Sequence, residues 1–183
     1  MRVVVIGSSG SGKSTFGRAL AGACDLARIE LDALNWGPGW FDRSNNEPDD
    51  FVRRIDHAIT RDRWVTDGNY RIAMTRTLPR ATHIIWLDYS RAVVMRRVIW
   101  RSLVRAIGQQ ELWPGTGNRE DFRRWLDKEH PIRWAWDTFD RRRGQYETLF
   151  ADPKRAAVEK HRLRHPREAE TLIARLAAET CLG

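Results

Sequence analysis

Three observations predict an α/β fold in three layers, a five-stranded parallel sheet with helices on both faces. Short apolar runs alternate with stretches of helical periodicity, no internal repeat or low-complexity linker interrupts the alternation, and the runs end in polar residues. In such a sheet the chemistry gathers outside the carboxyl ends of the strands. The 183 residues are 42% hydrophobic and 31% charged, the composition of one globular domain able to bury about two-thirds of its unfolded surface without a disulfide or structural metal. A disordered chain is excluded.

Each element has a local reason. The run RVVVI at 2–6 is the first strand, and a helix follows over 13–24. The second strand, at 28–31, ends at Asp32, and the glycine, proline and asparagine of 34–50 make an irregular excursion before a helix over 51–60. The third strand is 63–66, ending at Asp67-Gly68, and THIIWL at 82–87 is the fourth, ending at Asp88. Ser90 caps a long helix reaching about 107. A second excursion over 108–118 holds Pro114, Gly115 and Gly117, and a helix over 132–150 leads to a fifth strand near 157–163. Pro166 opens the last helix, whose Ala169, Leu172, Ile173 and Leu176 share one face.

Charge and cysteine content narrow the setting. The formal net charge is +8, and 91–143 alone holds 13 Lys and Arg against 7 Asp and Glu. Arginine dominates the bases, and its planar fork suits phosphate oxygens, although a solvated helix face is an equally simple use. Cys24 and Cys181 are far apart and belong to no C-x-x-C pair, so neither a zinc cluster nor a disulfide framework is expected, and a reducing, cytoplasmic setting is. The apolar stretch at 3–6 is far shorter than the roughly 20 residues that span a bilayer, so no membrane partner is expected.

The strongest motif is Gly7-Ser8-Ser9-Gly10-Ser11-Gly12-Lys13-Ser14, which matches G-x-x-x-x-G-K-[ST] between a strand and a helix, with Thr15 following in the first helical turn. Its glycines let the backbone wrap an anion at a helix N-terminus. In this P-loop pattern Lys13 reaches the outer phosphates of a nucleotide and the Ser14 hydroxyl ligates Mg²⁺. No N-K-x-D or L-S-G-G-Q segment is present, which leaves a small ATP-dependent kinase.

A nucleotide-bound Mg²⁺ calls for a strand-end carboxylate. Pattern alone favours Asp88, at the end of the apolar run, over Asp67, and either also suits a turn or helix cap. Asp32 faces the same cleft as Lys13 in a doubly wound sheet, where it would take a proton from an acceptor hydroxyl or orient it, unless it only organises the loop. Trp36, Trp40 and Phe41 either wall an acceptor pocket or anchor the excursion to the core.

Asp67-Gly68-x-x-Arg71 resembles the D-G-x-P-R segment of adenylate kinases, with Tyr70 where that pattern has proline. The resemblance implies that Asp67 serves the metal and Arg71 binds substrate phosphate. The cradle, Asp67-Gly68-Asn69-Tyr70, Trp86-Leu87-Asp88, the decapeptide at 31–40, Glu111-Leu112-Trp113 and Gly117-Asn118-Arg119-Glu120 together look like the adenylate-kinase-like group labelled DNA topology modulation proteins. That likeness covers most of the chain. It implies a P-loop kinase fold with ATP binding, an acceptor-side flap at 33–60, a lid-like insertion at 108–130 and an acceptor of unidentified structure.

Arg97, Arg101 and Arg105 recur every four residues and make one stripe on the long helix. By resemblance to lid-bearing kinases, Arg97 and Arg101 of this helix and Arg119 of the lid-like insertion close over the transferring phosphoryl group. Arg123, Arg124 and Arg141-Arg142-Arg143 lie among tryptophans in the part most like a nucleic-acid surface, but acidic residues interrupt them and no nucleic-acid-binding signature is visible. A nucleotide-binding regulatory protein associated with DNA is the rival reading. The histidines show no metal-ligand spacing, and nothing fixes the oligomeric state.

Overall fold

The first strand reads as an unbroken apolar run because both of its faces are covered. In the computed structural model, which describes residues 1–125, 127 and 130–181, the chain order is β1 (Arg2–Gly7), α1 (Lys13–Cys24), β2 (Ala27–Glu30), α2 (Leu31–Asn35), β3 (Trp36–Gly37), β4 (Phe41–Asp42), α3 (Arg43–Asn46) and α4 (Pro48–Ala58). There follow β5 (Trp64–Asp67), α5 (Arg71–Thr77), β6 (His83–Leu87), α6 (Arg91–Gly108), α7 (Pro131–Ala151), β7 (Glu159–Leu163) and α8 (Pro166–Cys181). The main sheet has the order β2-β5-β1-β6-β7, with every neighbouring pair parallel. The small strands β3 and β4 pair antiparallel in a separate hairpin.

The two-residue period of a strand divides the core in two. Val3 and Val5 pack with Phe16 and Leu20 of α1, Val94 and Val98 of α6, and Leu172 and Leu176 of α8. Val4 and Ile6 point the other way, onto Phe51 and Ile55 of α4, Ala73 of α5 and Tyr146 of α7. Each fully buried branched side chain stabilises the fold by about 1.5–3 kcal/mol, so the central strand is held from both sides. This fixes where its carboxyl end, Gly7, points.

Helix starts follow their side chains. Ser90 accepts from the Val93 amide at the head of α6, and Pro131 and Pro166 occupy the first helical positions of α7 and α8.

The structure differs from the sequence reading in three places. The second strand stops at Glu30, so Asp32 stands inside the one-turn helix α2 and not at a strand end. Gly68 lets this turn pack closely: a Cβ on it would meet Leu31 Cβ at 2.7 Å, and Leu31 is buried where the chain leaves the sheet. The first excursion contains α2, the β3-β4 hairpin and α3, and its following helix begins at Pro48. A helix that periodicity did not single out, α5, follows Tyr70. Positions 126, 128 and 129 of the expected lid lie outside the described residues. Among the described residues no helix is long and apolar enough to cross a membrane.

Candidate functional site

The loop between β1 and α1 carries its glycines where other residues would be strained. Gly10 and Gly12 have φ of 84° and 95°, and a Cβ at Gly10 would meet Val98 Cβ at 2.7 Å. The loop is therefore pressed against α6. Lys13 folds back so that its Nζ donates to the carbonyls of Gly7 (2.9 Å) and Ser8 (3.0 Å). The Gly7 carbonyl also accepts from the Asn69 side-chain amide and from the Tyr146 hydroxyl. Burial lowers the Lys13 pKa to about 8; Asp32 and Asp67 oppose the fall, while Arg101 and Arg142 add to it. Those five groups thus share one electrostatic environment.

Asp67, the last residue of β5, is buried, and its Oδ1 accepts from the Ser14 hydroxyl at 3.1 Å. Its Oδ2 faces Arg28 at 3.3 Å, and Arg28 is held in turn by Glu30 at 2.7 Å. Burial raises the Asp67 pKa, against the pull of Arg28. Gly17 has no side chain to spare here: a Cβ would lie 3.1 Å from Asp67 Oδ2. The hydroxyl of Ser14 and the carboxylate of Asp67 are hard oxygen donors, the type Mg²⁺ takes from protein while keeping waters and phosphate oxygens as its other ligands.

Asp88 is used differently. Its Oδ1 pairs with Arg143 Nε at 3.1 Å, its Oδ2 accepts from Arg162 Nε at 2.8 Å, and Arg162 lies over the Trp86 ring at 4.1 Å. That carboxylate joins β6 to β7 and α7.

Asp32 Oδ1 accepts from the Tyr70 hydroxyl at 2.7 Å, and the Tyr70 ring packs edge to face on Phe51 at 5.2 Å. Burial, and then Asp32, drive the Tyr70 pKa upward, so the phenol stays a donor. Tyr70 therefore has a task that proline could not perform.

Two arginines of the α6 stripe face the loop region. Arg97 Nη1 donates to the Ser11 carbonyl at 3.0 Å and its guanidinium lies 5.2 Å from the Tyr89 ring centroid. Burial and then Arg105 pull the Arg101 pKa down to about 10, and its buried Nε has no hydrogen-bond partner among the described residues. An entering anion would satisfy it. Arg105 instead faces Glu120 at 3.9 Å. Arg71 and Arg119 are exposed, and neither side chain makes a hydrogen bond or ion pair among the described residues.

Trp36 stacks on Trp113 with ring centroids 6.2 Å apart, and Trp40 meets both edge to face. The residues that sequence reasoning did not assign are Arg28, Asn69, Tyr70, Arg142 and Tyr146; Arg142 donates to the Asn69 carbonyl at 3.3 Å. Only Asn69 and Tyr70 had a visible signal, their place directly after Asp67-Gly68. A groove of about 360 Å³ lined by Arg96, Arg97 and Trp100 adjoins the loop through Arg97. A larger one, about 430 Å³, is lined by no loop or strand-end residue, and its Arg76 is already paired with Asp56.

No protein-family model matches the chain, and no curated protein matches it. Solved structures do. A shikimate kinase from Acinetobacter baumannii in complex with shikimate is 17% identical over 96% of this chain and 89% of that one, with a TM-score of 0.57. A shikimate kinase from Aquifex aeolicus VF5 is 16% identical over 98% and 96%, with a TM-score of 0.54. A gluconokinase from Sinorhizobium meliloti 1021 is 20% identical over 99% and 95%, with a TM-score of 0.50. The five-stranded parallel sheet with helices on both faces is the fold of these P-loop kinases.

Proposed function

We propose that this chain transfers a phosphoryl group from ATP to a hydroxyl of a small molecule or nucleotide, as an adenylate-kinase-like P-loop kinase. The observation that carries the reading is the meeting of Lys13, Asp32, Asp67 and Arg101 in one electrostatic environment at the carboxyl end of the sheet, with Ser14 bonded to Asp67. The structural neighbours are kinases of small molecules by name, which supports the same class. The likeness of Asp67-Gly68-Asn69-Tyr70 and Gly117-Asn118-Arg119-Glu120 to DNA topology modulation proteins refines it without naming the acceptor.

In this reading the residues 7–15 wrap the phosphates, and Lys13 exchanges its two carbonyl partners for phosphate oxygens. Ser14 and Asp67 would hold Mg²⁺, which supplies positive charge to the phosphate oxygens. Asp32, fixed on one oxygen by Tyr70, turns the other to the acceptor hydroxyl, orients it and receives its proton as the oxygen bonds to the outer phosphorus and ADP departs. Arg97 and Arg101 supply charge on the far side of that phosphorus. Trp36 borders the acceptor side, and Arg71 and Arg119 are exposed groups that a closing ligand would recruit.

The DNA-associated reading rests on the basic stretch 91–143. Many of those arginines already have partners: Arg91 with Asp140, Arg133 with Asp137, Arg143 with Asp88, Arg97 with Ser11. Asp137 and Asp140 are already counted among the seven acidic residues and the Ser11 carbonyl carries no charge, so of these pairs only Arg143 with Asp88 lowers the surplus offered to a duplex.

A screen of hydroxylated metabolites for Mg²⁺-dependent ATP consumption tests the proposal, with Asp32→Asn run beside the wild type. Loss of transfer with ATP binding kept is the expected result for the variant. A wild-type protein that binds no ATP in the presence of Mg²⁺ would end the reading.

A further inference from the structure

The insertion at 108–130 and the flap at 33–60 are far apart in sequence, yet one side chain grips the flap hairpin at both ends of its turn. Asn118, only 2% exposed, donates through Nδ2 to the Gly37 carbonyl at 2.9 Å and accepts through Oδ1 from the Trp40 amide at 2.8 Å. Both ends of a planar amide are thereby used, so the hairpin is fixed in position and in rotation. Around this bond Trp113 stacks on Trp36 at an interplanar angle of 20° and meets Trp40 at 88°. Two residues on, Glu120 faces Arg105 of α6, and its carbonyl accepts from Gln109 Nε2 at 3.3 Å. The lid segment therefore holds the flap with one side chain and the arginine helix with another.

On the flap side the connection to chemistry is short. The strand β3, which ends at Gly37, follows α2 directly, and α2 carries Asp32. Buried Asn35 braces the same turn by accepting from the Ser44 amide at 2.7 Å.

We infer that Asn118 and Trp113 are positioning residues that lock the acceptor flap to the arginine helix, so that ordering of the lid around nucleotide also sets the register of Asp32. The inference rests on the kinase reading for its chemistry, while the lock itself is a property of the empty chain. The coupling has a thermodynamic form: a contact shared by two segments makes ordering one of them favour ordering the other.

Amide hydrogen exchange on the full chain separates these levels. In the absence of ligand, Asn118→Ala should raise exchange in 36–46 by at least about tenfold, because two buried hydrogen bonds are lost, while the strand amides of β1 stay protected. Trp113→Ala should do the same, and Trp113→Phe, which keeps a ring, should restore most of the protection. With a non-hydrolysable ATP analogue and Mg²⁺, wild type should gain protection both at 8–14 and at 36–46; the Asn118→Ala protein should gain it at 8–14 only. Unchanged exchange at 36–46 in both alanine variants, or equal gains there in wild type and Asn118→Ala, would overturn the inference. Failure of the kinase reading shows separately, as no analogue-dependent protection at 8–14 in wild type, and the ligand-free comparison still decides whether the lock exists.

Discussion

The Ser14 hydroxyl donates to Asp67 Oδ1 at 3.1 Å, joining the first turn of the helix after the phosphate loop to the end of the neighbouring strand. Asp88, which the sequence pattern alone favoured, is instead enclosed by Arg143 and Arg162. The two carboxylates therefore separate by experiment. Asp67→Asn should abolish the Mg²⁺ dependence of ATP binding and lower transfer by about a hundredfold or more, in the range expected when charge stabilisation is removed from a phosphoryl site. Asp88→Asn should leave that dependence intact and lower stability by roughly 2 kcal/mol, as a buried, multiply bonded carboxylate loses its charge. Calorimetric titration with and without Mg²⁺, beside urea unfolding, checks both.

Lys13 gives a pH prediction. Its pKa in the empty protein is about 8, below the ordinary 10.5, because burial disfavours the charged form. Between those values the unfolded chain binds the proton and the folded one does not, so this residue's contribution to stability rises with pH from about 8 to 10.5 and is least below 8. Triphosphate requires the charged amine, so affinity should be flat below pH 8 and fall by up to about tenfold per unit above it. Lys13→Met should bind weakly at every pH and lose the slope. Titrations of a non-hydrolysable analogue from pH 7 to 9.5 provide the measurement.

Tyr70→Phe removes one hydroxyl and keeps the edge-to-face contact with Phe51. Asp32 then loses the donor that fixes it. Transfer to the acceptor found by screening should drop by about tenfold, and stability by roughly 1–2 kcal/mol, the scale of a hydrogen bond to a charged group. Nucleotide affinity should not change, which a direct binding assay would establish.

Gly10→Ala meets two obstacles at once. The residue has φ of 84°, and the new methyl would lie 2.9 Å from the Val94 carbonyl and 2.7 Å from Val98 Cβ, both on a packed helix. The variant should be destabilised by about 2 kcal/mol or more and should lose nucleotide affinity, because the loop must lift off α6. Gly39→Ala, at a φ of 65° with open space around it, should cost about 1 kcal/mol and spare nucleotide binding.

The centre of the sheet was readable because β1, β5 and β6 are short, largely buried runs, and the cradle because its glycines serve backbone geometry that few other residues tolerate. Asp32 was legible as a residue but not in its setting, since the turn that moves it off the strand packs Leu31 where only a glycine at 68 leaves room, a fit between distant segments. Tyr70 stood in plain view as a departure from the expected proline; only the fold shows that its hydroxyl reaches Asp32. Arg28 and Tyr146 carried no local pattern, and Arg142 stood out only as one of a basic run, because they meet the site across the sheet or from a helix far along the chain. Regular spacing also could not sort the arginine stripe. Arg97 and Arg101 turn to the loop region while Arg105 faces Glu120, a division decided by what lies opposite each turn of α6.

The carbonyl of Gly7 receives three donors, one of them the Lys13 amine, which also reaches Ser8. An empty loop is thus already self-neutralised, and a visitor must displace internal bonds before it gains any. In the kinase reading, Lys13 must trade its two carbonyl partners for phosphate oxygens before the nucleotide is held.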